Sequence, residues 1–401
     1  MNPHRVRARS LWVATAFAAA GTALGTPRMV PAHQAQQHVL QTDVPDPTQD
    51  KPQSKLWYAR GRWWAWLPTR GGSMVWERTP AGWNPLNHLT GVLHGLPGQA
   101  DVWAAGDRAR AVLRGPRSLV VVALRYDRAA RTFRLDGAPE PLSLPDERSG
   151  KGIETATIDR DPAGNWWVAY DCGRRIWAQC SRAETTGVWS SPIEIGSDIA
   201  EDDICALTAI PGGIGVIWSD QTREEVFFRQ HRSSRSPELW QPVEIVDQGK
   251  KTADDHLHIA AAGDGRLFVA TKNSLDERDQ PQLVLRVRAR NGTWTNLPFA
   301  PRTSTAEPTR PIALLTAGSN RLTVIQATYG RGSRSRAGST LIVRTTNPLL
   351  PDLSGPGAVL LGPQKGLNNP TGCKAPLPAG TPALILASDD AGRVYEVPLD
   401  P

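Results

Sequence analysis

The stretch DDHLHIAAAGDGRLFVATKNS, residues 254–274, decides how the rest of the chain is read. It runs from a polar cluster into a short apolar segment (Leu257 to Ala260), then a turn (Gly263-Asp264-Gly265). A second apolar segment (Arg266 to Ala270) leads to another polar cluster. Glycine enters the left-handed backbone region without steric cost, so two glycines around one aspartate mark a tight reversal. The β-branched and aromatic residues after it fit a strand. A hairpin returns both outer ends to one side, which predicts that Asp254, Asp255 and His256 lie near Lys272 and Asn273.

The phrase recurs. GIETATIDRDPAGNWWVAYD (152–171) sets Glu154 before the first strand and Asp171 after the second. DDICALTAIPGGIGVIWSD (202–220) does the same with Asp202 and Asp203, then Ser219 and Asp220. TRPIALLTAGSNRLTVIQATY (309–329) begins near Arg310 and ends on Tyr329. Weaker copies lie at 54–68 and 381–399. The clear copies start at Glu154, Asp203, His256 and Arg310, at steps of 49, 53 and 54 residues. Third strands follow, and a Gly-x-Trp or x-x-Trp element often precedes the fourth, as in Ala81-Gly82-Trp83, Gly187-Val188-Trp189, Glu238-Leu239-Trp240 and Gly292-Thr293-Trp294. A period near 40–50 residues with four strands per unit is the signature of a β-propeller blade. The predicted fold is all-β: a propeller of four-stranded antiparallel blades, seven in number, or six if the tail completes the first blade.

Composition agrees. Apolar runs are short and are punctuated by 36 Gly and 34 Pro, which speaks against long helices. Most of the 15 Trp are expected to pack between blades. Residues 1–25 read as a signal peptide: His4, Arg5, Arg7 and Arg9, then the apolar run Leu11 to Ala20, then small residues. Residues 26–50 read as a flexible leader and 51–401 as one propeller domain, with no membrane span after cleavage and a secreted or periplasmic location. The net charge of +7 falls to +3 without the four arginines of residues 1–30, and no nucleic-acid motif is present, so nucleic acid is not an expected partner. A monomer is expected. Export permits disulfides among Cys172, Cys180, Cys205 and Cys373, and Cys172–Cys180 is the first pairing to test. No Cys-x-x-Cys pair or calcium loop is present, so neither metal nor cofactor is expected.

In a propeller the first strand of each blade lines the axis, and its start shares a face with the end of the second. Glu154, Asp171, Asp203, Asp220, Asp255, His256, Lys272, Arg310 and Tyr329 therefore converge on one mouth, with Lys365 and Asn369 joining from the last blade. Binding groups gather on loops over a rigid scaffold, and a funnel of mixed charge suits a hydroxyl-rich ligand. Carboxylates about 5–10 Å apart perform glycoside hydrolysis, for which Glu154 is paired with Asp203 or Asp255. His256 as base with Tyr329 as acid is the alternative set, suited to a polysaccharide lyase. Arg310 and Lys272 would hold an anionic or polar sugar group, with the Arg331, Arg334 and Arg336 loop on the same face. Each of these residues also has a plainer role open to it, as a strand cap or salt-bridge partner.

The phrases Asp202-Asp203-Ile204, Trp218-Ser219-Asp220-Gln221, Asp254-Asp255-His256 and Arg310-Pro311, with the Gly-x-Trp elements, resemble secreted bacterial propellers of the sialidase-like superfamily, which carry neuraminidase repeats. The resemblance spans Lys51 to Leu399. It implies a six- or seven-bladed propeller and carbohydrate-directed activity, as a glycoside hydrolase or a polysaccharide lyase. A glycan-binding or protein-binding propeller without turnover is the other reading.

Overall fold

A computed structural model of the chain describes residues 37–49, 51–146, 152–182, 187–275, 277–316, 321–330, 338–375, 377–378 and 380–399. The expected signal peptide and the Arg331, Arg334 and Arg336 loop lie outside them.

Seven antiparallel sheets form seven blades of a β-propeller. Blades 1 to 6 span residues 56–85, 99–141, 156–197, 205–248, 257–301 and 306–364. Blade 7 combines Asn368–Thr371, Ala383–Ser388 and Arg393–Leu399 with Leu40–Gln41 from the other end of the chain. That last pairing, Leu40 with Val394 and Gln41 with Arg393, closes the ring and shortens the outer edge left exposed on Arg393–Leu399. It also corrects the expected leader: residues 37–49 belong to the propeller. The weak copy at 381–399 is corrected too, being the second and third strands of blade 7 rather than its first hairpin.

The hairpin at 254–274 forms as read, with Leu257–Ala261 against Leu267–Lys272. Of its two turn glycines only Gly265 takes positive φ, at 93°. Second strands such as Trp166–Cys172 and Gly213–Asp220 are buried along their whole length. Neighbouring blades cover both of their faces, which explains runs that are apolar throughout instead of alternating. Gly215 leaves room for the Phe228 ring: a Cβ there would sit 2.4 Å from Phe228 Cζ.

Tryptophans fill the seams. Trp167 of blade 3 meets Trp240 of blade 4 edge-on at 5.6 Å, and Trp294 of blade 5 meets Phe228 of blade 4 at the same distance. At three seams one motif repeats. Trp83 Nε1 donates to Glu396 Oε2 at 2.8 Å, Trp189 to Glu140 at 2.9 Å and Trp294 to Glu244 at 3.0 Å. In each, an arginine (Arg78, Arg110 or Arg288) holds the same carboxylate.

The four cysteines are free thiols. Cys172 pairs across the hairpin with Arg175, whereas Cys180 faces Trp167. Five strand positions separate the two sulfurs, roughly 17 Å at the rise of a strand, so the expected Cys172–Cys180 bridge cannot close.

Candidate functional site

First strands of successive blades touch one another around the ring, so their starts surround one mouth. Three lysines from the ends of the chain reach into the axis and meet groups from the middle blades. Lys374 pairs with Asp101 of blade 2 and donates to Ile158 O of blade 3 at 2.8 Å. Lys55 is fully buried, donating to Gln53 Oε1 at 2.8 Å and Ala100 O at 2.9 Å. Burial drives its amine down to about 7, against the opposing charge of Asp101.

Lys51 sits highest. Its Nζ lies 2.9 Å from Glu154 Oε1 of blade 3 and also contacts Asp255 at the start of blade 5. The lysine side chain is 7% exposed and the two carboxylates about a quarter, so the ammonium occupies the space between them. Beside it, His256 Nδ1 lies 2.7 Å from Asp254 Oδ1 and 2.5 Å from Asp255 Oδ1. Lys272 Nζ reaches Asp254 Oδ2 at 2.7 Å, and Ser274 Oγ donates to the same oxygen at 3.1 Å. Burial alone would raise the Asp255 carboxyl. The hydrogen bond from His256 and the charges of His256 and Lys51 outweigh it and hold that carboxyl well below the usual range.

An imidazole whose Nδ1 faces two carboxylates donates its hydrogen there, and in its neutral form Nε2 is then the acceptor. His256 Nε2 points to blade 6, where Thr309 Oγ1 is 3.4 Å away. The backbone breaks register between Thr309 and Ile312, and Arg310 within that bulge has φ 49°. Thr309 pairs with Ala327 and Glu307 with Tyr329, so Tyr329 shares the Thr309 face of the sheet, the one turned toward blade 5.

The structure thus brings Glu154, Asp255, His256 and Lys272 into one cluster, with Arg310 and Tyr329 on the adjoining blade. Others are spent on local structure. Asp171 accepts from Glu154 N and Thr155 N, both at 2.7 Å, and burial lifts its carboxyl to about 6 despite these bonds. Asp203 accepts from Ala200 N at 2.7 Å and Gln221 N at 2.9 Å, and burial raises it as well. The two line a crevice between blades 3 and 4 whose free volume of about 10 Å³ is close to that of one water. Asp220 is buried in a turn, accepting from Arg223 N and Arg223 Nη1 at 2.9 Å. Lys365 is exposed before blade 7, and Asn369 Nδ2 donates to Asp46 Oδ1 at 3.2 Å.

Sequence reasoning missed Lys51. It stands at the edge of what read as a leader, and no local signal says that its amine crosses the axis. Asp254, Asp255 and His256 offer three ligand atoms within 4.8 Å of one another. Both carboxylates already carry ammonium groups, so positive charge occupies the ground a cation would need.

Neither protein-family models nor the curated proteins contain a match to this chain. Solved structures do show likeness. A polysaccharide lyase, Uly1, aligns at 9% identity and TM-score 0.49 over 87% of this chain and 90% of its own. A protein of unknown function from Dyadobacter fermentans aligns at 13% and 0.48, over 92% and 100%. An alpha-L-arabinanase from Penicillium chrysogenum aligns at 11% and 0.42, over 78% and 99%. No family follows from these. With TM-scores under 0.5 they carry no argument, and the propeller rests on its own strand pairing. Among the described residues no helix is long and apolar enough to cross a membrane.

Proposed function

We propose that the protein is an exported carbohydrate-active propeller that works at its channel mouth, with His256 as the proton-accepting group. The observation that carries this reading is the imidazole itself. Its Nδ1 is fixed by Asp254 and Asp255, and its Nε2 is turned to the adjoining blade. A base oriented by carboxylates, with a phenol on the neighbouring wall, suits elimination across a uronic-acid linkage: His256 takes the proton next to the carboxylate and Tyr329 protonates the leaving oxygen. Hydrolysis by two carboxylates fits the geometry less well. The Glu154 and Asp255 pair shares the Lys51 ammonium, which occupies the space between them that a scissile linkage would need, and Asp255, held ionised, is left only the nucleophile or base role.

Recognition without turnover is the second reading, favoured by the same lysine, which fills the space where a sugar would meet both carboxylates. Incubation of the protein with a polysaccharide panel separates the readings. Unsaturated products absorbing in the ultraviolet support elimination, new reducing ends without them support hydrolysis, and binding alone supports recognition. A panel that is neither bound nor cleaved ends the carbohydrate reading.

A further inference from the structure

We propose that the groove between two hairpin tips of blade 1, with the Trp63 indole as its floor, is a second glycan site on the face opposite the mouth, for an uncharged stretch of sugar chain. This rests on the carbohydrate reading above only for the class of ligand, and no residue of the mouth takes part in it.

The strand order makes the groove. Leu56–Ala59 turns into Arg62–Thr69 at Arg60-Gly61, and Gly72–Thr79 turns into Gly82–Pro85 at Pro80-Ala81. First strands start at the mouth, so both of these turns lie at the far end of the blade. Between them is a cavity of about 600 Å³ lined by Gly61, Arg62, Trp63, Arg78, Thr79 and Pro80. That size is ordinary for a small-ligand site, whereas the crevice beside Asp171 and Asp203 holds about 10 Å³. Gly61 and Gly82 take φ 77° and 120°, and a Cβ on either would meet nothing within 4 Å, so the space beside both tips is open.

In blade 3 the equivalent place is filled. Trp166 stands near the start of the second strand, on the side facing the preceding blade, as Trp63 does in blade 1. Blade 2 covers Trp166: the Trp103 ring meets it edge-on at 4.8 Å, the Arg110 guanidinium lies 4.8 Å from its ring centre, and only 8% of the residue is exposed. Among the described residues blade 7 brings no ring and no cation over Trp63. Its one aromatic neighbour is Tyr58 of its own blade, at 5.3 Å, and the indole stays partly exposed on the groove.

The polar rim sets the ligand class. Arg62 is paired to Glu77 through Nη1, and Arg78 to Glu396 through Nε and Nη2. Their side chains are 39% and 40% exposed. A guanidinium carries five N–H donors, so each arginine keeps donors for the groove after its carboxylate is served. Both positive charges are already cancelled, so an anion gains little there. An apolar indole face takes the C–H face of a sugar ring, and fixed N–H groups beside it take the hydroxyls. The two carboxylates hold those donors in place before a ligand arrives.

The test is native electrophoresis of the full chain through gels carrying hydroxyethyl cellulose, arabinoxylan, laminarin or polyglucuronate, for wild type, Trp63→Ala, Trp63→Phe, Arg62→Met and His256→Gln. At least one of the three neutral polymers should retard wild type. Trp63→Ala should weaken that binding about tenfold or more, and Trp63→Phe and Arg62→Met should weaken it less. His256→Gln should bind as wild type does. Thermal unfolding identifies the folded variants, and Arg62→Met, changed at an exposed side chain, gives the answer if Trp63→Ala does not fold. Neutral polymers that leave wild type unretarded, or that retard Trp63→Ala and Arg62→Met as strongly as wild type, overturn the proposal. Retardation by polyglucuronate alone overturns it as well. Binding lost in His256→Gln but kept in Trp63→Ala puts the glycan at the mouth, so the groove falls and the carbohydrate reading stands. Binding lost in Trp63→Ala, with no ultraviolet-absorbing product from wild type on any polymer, keeps the groove and ends elimination at the mouth.

Discussion

At the seams, Glu396, Glu140 and Glu244 each lie between an indole N–H and a guanidinium, although Arg110 Nε at the Glu140 seam is buried without an acceptor among the described residues. At the mouth, Glu154, Asp254 and Asp255 lie among Lys51, Lys272 and His256, yet the surrounding groups are not all satisfied. Among the described residues His256 Nε2 has one distant neighbour, Arg310 has no anion, and the Asn368 side-chain amide has no partner. Both regions are carboxylates among cations. The difference is one of degree: the seam carboxylates are held mainly by groups that serve the fold, whereas the mouth keeps more hydrogen-bonding capacity unmet.

The largest expected effect separates the two regions by activity. His256→Gln should lower the rate of uronate elimination by about 10² to 10⁴-fold, the range for removing a general base. Glu396→Gln should leave the rate near wild type. Ultraviolet product formation measures both, and equal losses would show that the mouth owes its importance to stability alone.

Acidification should act on the channel below the mouth. Burial, with the charge of Lys374 second, pushes His258 down to about 3, against about 6.5 in an unfolded chain. Its stabilising contribution is complete above pH 6.5 and is lost as pH falls from there toward 3, because the unfolded chain takes up the proton first. The loss should reach on the order of a few kcal/mol by about pH 3. Unfolding midpoints across this range should decline less steeply in His258→Asn.

A seam change comes next. Glu244→Ala strips the acceptor from the Trp294 indole and the counter-charge from Arg288, whose side chain is 11% exposed. Denaturant unfolding should show a loss of about 2 kcal/mol, with glycan binding unaltered. Lys51→Met should cost less, about 1 kcal/mol, because both of its carboxylates are partly exposed. Its sharper readout is the Asp255 carboxyl, which should titrate nearer the ordinary range when followed by carbon NMR. An unmoved Asp255 would show that His256 alone holds it down.

Much of the fold was legible in a repeated phrase of residues. The starts Glu154, Asp203, His256 and Arg310 mark blades 3 to 6, because a hairpin is a local object and its turn, strands and polar ends are adjacent in sequence. Blade 7 was harder to read. Its hairpin at 381–399 has the same grammar as an inner hairpin, and only the pairing of Leu40–Gln41 with Arg393–Leu399 shows which strand is outermost. The cysteines failed similarly: proximity in sequence said nothing of register, which places Cys180 opposite Trp167.

At the site, sequence located the polar tips of the blades but not their partners. Asp171 and Asp203 carry the same side chain as Asp255, yet backbone N–H groups consume them, and no pattern in the chain distinguishes the three. The sequence by itself determined a ring of short hairpins with ionic ends, because strand periodicity and turn chemistry act over a few residues. Only the tertiary structure decided that Lys51 crosses the axis to Glu154 and Asp255, and that Arg310 has no counter-ion among the described residues. Those facts depend on distances between residues a hundred or more positions apart, which closure of the ring sets and local propensity does not.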